Sequence, residues 1–238
     1  GGAGTSVIKT GDGEAVVAAI KKSNEAGVPV VMANRAAGEG AEVVGTVTSD
    51  NEAMVQRELE YILEKAKKDG TKYKVIKLVG SLTDANAIAR DNGFNAVADE
   101  NPDVFDVVSE VATEWKGELA LAGILSAFEE NPDINMIFSP SDALLPSIIS
   151  GLQQLDKYKK VGEEGHVTLV TFDGAKDAVD AIKEGYVDVV SVQDATNQAK
   201  LCIEAAVAAV KGEEVDSMTD PGFEVTADNV DELGFEGY

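Results

Sequence analysis

Short apolar runs alternate with segments of helical spacing along most of this chain, and few folds accommodate that alternation. Strands are predicted at 28–33 (VPVVMA), 42–48 (EVVGTVT), 73–80 (YKVIKLVG), 103–112, 135–139 (NMIFS), 167–174 (VTLVTFDG) and 187–192. Helices are predicted between them, at 14–26, from Asn51 to about Lys68, from Thr83 to about Asp99, and at 117–130, 143–155, 175–184 and 197–211. Gly27, Gly70, Gly185 and Gly212 stand where helices stop, and Pro146 falls in a first turn, where proline is tolerated. Val55, Leu59, Ile62 and Ala66 keep one stripe of the long second helix, and Ile88 and Phe94 are read as apolar positions of the third. The tail, 213–238, is acidic and strand-poor apart from 222–226. Strand-helix repetition of this kind predicts an α/β fold, with parallel sheets covered by helices on both faces.

The run VTLVTFDG is apolar until it ends in Asp173 and Gly174. A fully apolar run suits a parallel strand buried on both faces, and in open α/β sheets ligands bind beyond the carboxyl ends of such strands. Asp173 therefore reads as a ligand contact or as a cap for the helix that follows. Asp50 and Asn51 read as caps of the long helix. Two other stretches, EVVGTVTSDN and SVQDATNQ, turn polar where a central strand would stay apolar. Both predict that the chain leaves one sheet and enters another, and ligand sites favour the space between domains. The expected division is a first lobe of 7–50 plus 195–217 and a second of 51–194 plus 218–238. GGAGTS, residues 1–6, reads as a linker or cloning scar.

Composition removes several function classes. The chain has 43 acidic and 20 basic residues, a formal charge of −23 over 238 residues. Such a surface repels phosphate backbones and offers no basic amphipathic segment to an anionic membrane, so neither nucleic acid nor direct membrane insertion is expected. There is one cysteine and one histidine. Cys202 reads as a buried small hydrophobe of its helix, and His166 as a loop residue. Together they exclude a Cys/His zinc site, and no nucleophile elbow accompanies the histidine. No phosphate loop, metal cluster or activated nucleophile is present, so no enzyme, metal or cofactor is expected.

The segments GVPVVMANR, VGTVTSDN, VGSLTDANAIARDNGF, IFSPSD, VTFDG and VVSVQD follow one another in the order found in a known family. The chain resembles the type I periplasmic sugar-binding proteins, the ribose- and galactose-binding group, from about residue 7 to 230. These are the soluble receptors of ABC sugar importers, and they share their fold with the ligand cores of lactose-repressor-type regulators. The resemblance implies two Rossmann-like lobes hinged around a monosaccharide, permease subunits as partners, and an extracytoplasmic location with no leader in this chain. The alternatives are the ligand core of a transcriptional regulator or a sugar-sensing module.

The resemblance also implies a set of ligand contacts. Arg35 and Arg90 match the family's two arginines, whose planar forks suit adjacent hydroxyls. Asp173 matches its hydroxyl-accepting aspartate, Gln193 a glutamine at a crossover, and Trp115 an aromatic that stacks on the sugar ring. Asn34 stands where the family usually has aspartate, and Ser141, followed by Asp142, where it usually has asparagine. About two βα units precede the family's counterpart of SVIKTGDGEA. Against that pattern the first lobe is expected to have an uncovered parallel-sheet edge or an incomplete core, repaired by dimerisation or swapping, and this chain alone is expected to bind sugar weakly or not at all.

Overall fold

The computed structural model describes residues 4–238. In chain order its elements are β1 (Ser6–Lys9), α1 (Val17–Glu25), β2 (Val30–Ala33), β3 (Gly45–Ser49), α2 (Asn51–Asp69), β4 (Tyr73–Val79), α3 (Ala85–Ala98), β5 (Phe105–Ala112) and α4 (Gly117–Glu130). They continue as β6 (Met136–Phe138), a 3-10 turn (Asp142–Leu144), α5 (Leu145–Gln154), β7 (Thr168–Asp173), α6 (Lys176–Lys183), β8 (Val189–Val192), α7 (Ala195–Lys211), β9 (Met218–Asp220), β10 (Phe223–Thr226) and α8 (Val230–Leu233). The elements form two compact units, 1–50 with 193–222 and 51–192 with 223–238.

The first unit holds a parallel sheet in the order β1-β2-β3-β9. Alternation along β2 divides its core between two faces. Val31 packs with Val47 and with Cys202 and Ala205 of α7, while Val30 and Met32 pack with Ile20 of α1. β1 lies at one end of the sheet, and Val7 on it is exposed. The linker expected over 1–6 lies partly outside the described residues. Its last part is structural, because Thr5 Oγ1 donates to the Ala206 carbonyl and Ser6 begins β1.

Residues 193–194 and 218–222, expected with the second lobe, fall in the first unit. The reason is β9. Its three residues, MTD, carry no apolar period of their own, yet Val47, Thr48 and Ser49 of β3 pair with them in parallel register. The tail therefore supplies a strand to each unit, since β10 pairs antiparallel with β8.

The second unit is built on a six-stranded sheet, β10-β8-β7-β6-β4-β5, parallel except for β10. Helices cover both faces, which is why the central strands β6, β7 and β8 are buried along nearly their whole length. Ile76, Ile137, Leu169 and Val190 face α4, α5 and α6, where they meet Ile124, Phe128, Ile148, Leu152, Val179 and Ile182. Val75, Met136, Phe138, Val170 and Phe172 face α2 and α3, where they meet Met54, Leu59, Ile62 and Phe94. Phe94 is buried as expected, but Ile88 is 46% exposed and lies outside the core stripe. The cap of α3 is Asp84 rather than Thr83; its side chain accepts from the Asn86 amide. His166 lies in a loop, as expected, and is pinned there between the Lys159 carbonyl and Asp188.

Candidate ligand-binding site

In the second unit the carboxyl ends of β5, β6 and β7, with α3, bring five of the expected residues together: Arg90, Trp115, Ser141, Asp142 and Asp173. Asp173 ends β7 with φ of 122°, a conformation that costs a non-glycine residue about 1–3 kcal/mol and marks functional sites. One carboxylate oxygen lies 3.2 Å from Arg90 Nη1, and the other accepts from Ser141 Oγ at 2.6 Å. Asp173 does not cap α6, which begins at Lys176 with no side-chain cap, Lys176 N donating to the Tyr238 carbonyl. The Asp142 carboxylate takes both Gly174 N and Ala175 N, and also the Thr171 hydroxyl.

Arg90 is delivered by α3 and is only 3% exposed. Its Nε donates to Asn51 Oδ1 at 2.8 Å and its Nη1 to the Pro140 carbonyl at 2.6 Å. The guanidinium lies 3.9 Å from the Phe172 ring centroid and 6.0 Å from that of Trp115. Stacking and a fixed fork of donors leave it a single orientation. Burial pulls Arg90 below its usual range, and Asp173, Asp84, Glu58 and Asp142 pull it back up.

Trp115 is partly buried, and its indole N–H donates to Asp84 Oδ2. Glu114 and Trp115 are consecutive residues in the left-handed region, at φ of 48° and 59°, so the backbone is bent to place this ring. The ring rests on Gly80, where a Cβ would stand 2.3 Å from the indole. Substituting Gly80→Ala is expected to displace the ring at an overpacking cost of about 1–3 kcal/mol, with a larger proportional loss in ligand affinity than in melting temperature. Calorimetric titration beside a melting scan checks this, and unchanged affinity refutes it.

The carboxylates around Arg90 outnumber it. Burial, then the charge of Asp173, pushes Asp142 up to about 7. Burial likewise raises Glu58 well above the usual carboxylate range. Its Oε1 accepts from Ser191 N at 2.6 Å, while Oε2 is buried without a hydrogen-bond partner.

In the first unit Asn34 and Gln193 share one hydrogen-bond network. Asn34, at φ of 68°, donates Nδ2 to Gln193 Oε1, which also accepts from Ser49 Oγ. Gln198 donates to Ser49 Oγ, and Asp220 accepts from Asp194 N and Asn197 Nδ2. Arg35 Nη1 donates to the Thr10 carbonyl.

Sequence reasoning missed Asn51, Asp84 and Phe172 as site residues. Asn51 and Asp84 were legible only as helix-start residues, and Phe172 only as core. Their second role depends on Arg90 lying between them. Two surface cavities, of about 390 and 480 Å³, lie at the amino ends of β2–β3 and of β4–β6 respectively, not at the Asp173 edge. Among the described residues no cluster of His, Cys, Asp and Glu could hold a metal ion, and no helix is long and apolar enough to cross a membrane.

Two parallel sheets with helices on their faces, and a polar cluster at the carboxyl ends of strands, define a ligand-binding class of α/β protein. The chain belongs to the periplasmic binding protein domain family, whose model matches residues 7–214. It is 29% identical over 218 residues to the xylitol-binding protein of Mycolicibacterium smegmatis, covering 89% of this chain and 58% of that one. It is 30% identical over 210 residues to the ribose import binding protein RbsB of Salmonella typhimurium, covering 88% and 66%. The chain thus spans less than two thirds of the length of either relative. Among solved structures, an ABC transporter solute-binding protein of Actinobacillus succinogenes with bound D-allose matches at a TM-score of 0.83 and 21% identity, over 96% of this chain and 80% of that one. The counterpart from Bacillus halodurans with bound myo-inositol matches at 0.78 and 23%, over 95% and 76%. These likenesses establish the type I periplasmic binding protein fold.

Proposed function

We propose that this chain is a non-catalytic solute-binding protein that takes a small, neutral, polyhydroxylated carbohydrate outside the cytoplasm and delivers it to an ABC importer. The observation that carries this reading is the Asp173 carboxylate. Its side chain is 31% exposed, held at a strained carboxyl end of a strand, and set beside a locked arginine that itself lies 6.0 Å from the Trp115 ring centroid. A carboxylate accepts from two neighbouring hydroxyls, and an aromatic face suits the C–H side of a sugar ring. The names of the relatives support the same substrate class and the importer partner. Asn34, Arg35 and Gln193 are proposed as further ligand contacts on the same chemical ground. Ser141, holding Asp173, is proposed as a contact through its remaining hydroxyl capacity.

A thermal-shift panel of D-ribose, xylitol, D-apiose, D-allose and myo-inositol tests the proposal. A ligand present at 100 times its Kd stabilises the native state by about 2.7 kcal/mol. At least one member is therefore expected to raise the melting temperature by several degrees, with the sugar recovered unchanged. No shift at millimolar concentration across the panel, or turnover of any member, overturns the reading.

A further inference from the structure

Asp142 is 6% exposed, and its two oxygens accept from three donors. Thr171 Oγ1 lies 2.7 Å from Oδ1, and Gly174 N and Ala175 N lie 2.8 and 2.7 Å from Oδ2. These donors bracket Asp173 from both sides of the turn. Asp173 and Gly174 are consecutive residues at positive φ, 122° and 93°, a path that persists only where the surroundings over-determine it. The Asp142 carboxylate is the group that ties the two sides together.

We propose that Asp142 is a positioning residue for ligand recognition: its carboxylate clamps the Thr171–Ala175 turn so that Asp173 is presented to the sugar, and protonation loosens the clamp. The proposal rests on the reading of Asp173 as a sugar contact. The charged groups facing Asp142 are Asp173 at the end of β7, Arg90 from α3 and Glu58 from α2. Burial first, and Asp173 second, bring its proton affinity to about 7, so the clamp changes charge near neutral pH. A charged acceptor holds amides more strongly than a neutral one. Once protonated, the acid must donate, and only the Thr171 hydroxyl can turn to receive it.

The sign is fixed by that chemistry. D-ribose affinity, measured by calorimetry, is expected to be greatest above pH 7 and about 3–10-fold weaker at pH 5.5. Asp142→Asn keeps an oxygen for the two amides and an N–H for Thr171, but it cannot titrate. It is expected to bind at every pH as the parent does at pH 5.5. Asp142→Ala is expected to bind more weakly than Asp142→Asn throughout.

A second readout needs no sugar. The Gly174 and Ala175 amide proton resonances should move together as pH passes 7 in the parent and stay fixed in Asp142→Asn. The proposal is overturned if Asp142→Ala binds like the parent, if Asp142→Asn keeps the parent's pH profile, or if the two amides stay still between pH 5 and 8.5. Should Asp142→Ala fail to fold, the asparagine variant and the amide titration decide. Should no panel sugar bind the parent, the sugar reading fails on its own, and the amide titration alone decides whether Asp142 is the clamp.

Discussion

Replacing Arg90 by alanine is expected to destabilise the second unit by about 3–5 kcal/mol and to abolish sugar binding. The side chain is almost wholly buried, and its removal strips a donor from Asn51 and from the Pro140 carbonyl. It also takes away the ring-stacked cation that faces four carboxylates, Asp173, Asp84, Glu58 and Asp142. The stability loss comes mainly from those orphaned buried groups. The direct pair with Asp173 contributes less, because that carboxylate is 31% exposed and water screens it. Arg90→Lys retains the charge but not the fork or the stacking plane, and is expected to fall between parent and alanine. Adding Asp173→Asn to Arg90→Ala should recover part of the loss, with a coupling near the low end of the usual 0.5–3 kcal/mol. Melting scans of the parent, Arg90→Ala, Arg90→Lys, Asp173→Asn and the double variant measure this, and a parent-like melting temperature for Arg90→Ala would falsify it.

Raising the pH from 5.5 to 8 is expected to lower the melting temperature by about 4–8 °C at fixed ionic strength. Asp142 moves from 3.8 in the unfolded chain to about 7 in the fold, for burial first and Asp173 second. Below pH 4 both states hold the proton and the group contributes nothing. Between 4 and 7 the unfolded chain releases it first, so stability falls with rising pH, and above 7 the loss is complete. A carboxyl moved that far disfavours its ionised folded form by on the order of 4 kcal/mol in all, of which about half, ~2 kcal/mol, is lost between pH 5.5 and 8. Glu58, raised by burial, acts in the same direction.

His166 does too. Burial works against its proton, but the hydrogen bond to Asp188 outweighs that and raises it above 6.5. Its stabilisation is full below 6.5 and disappears as the pH passes the folded value. Asp69, Asp133 and Asp156 are lowered by their hydrogen bonds to Thr71, Lys74 and Lys159, and lose their contribution only as pH falls through the acidic carboxylate range. Glu58→Gln keeps the acceptor for Ser191 N without the charge, and should flatten the slope. A parent melting temperature that is level or rising across this range refutes the assignment.

The α/β character and the order of strands and helices were legible because both-face burial writes long apolar runs into VTLVTF and VPVVMA. β9 was not legible, since a three-residue strand is defined by its partner, here β3, and not by its own period. Ile88 was misread because the apolar stripe of α3 is weak, and the burial that decides it comes from α2 and the sheet. At the candidate site the ends of the argument were visible and the middle was not. Asp173 and Arg90 could be named from their segments. Asp142 could be named too, but its direction could not, because Gly174 N and Ala175 N are more than thirty positions away in the chain. Asn51, Asp84 and Phe172 each have an adequate local explanation, and only three-dimensional proximity to Arg90 gives them a second one.

The chain contains a single tryptophan, and it is the ring seated on Gly80 within reach of Arg90 and Asp84. Indole emission responds to the polarity and charge around it, so every photon from that chromophore originates at the candidate site. The protein thus carries its own optical gauge. Occupancy, the clamp at Asp142 and the integrity of the second unit can be followed on unlabelled material, in real time, from one signal.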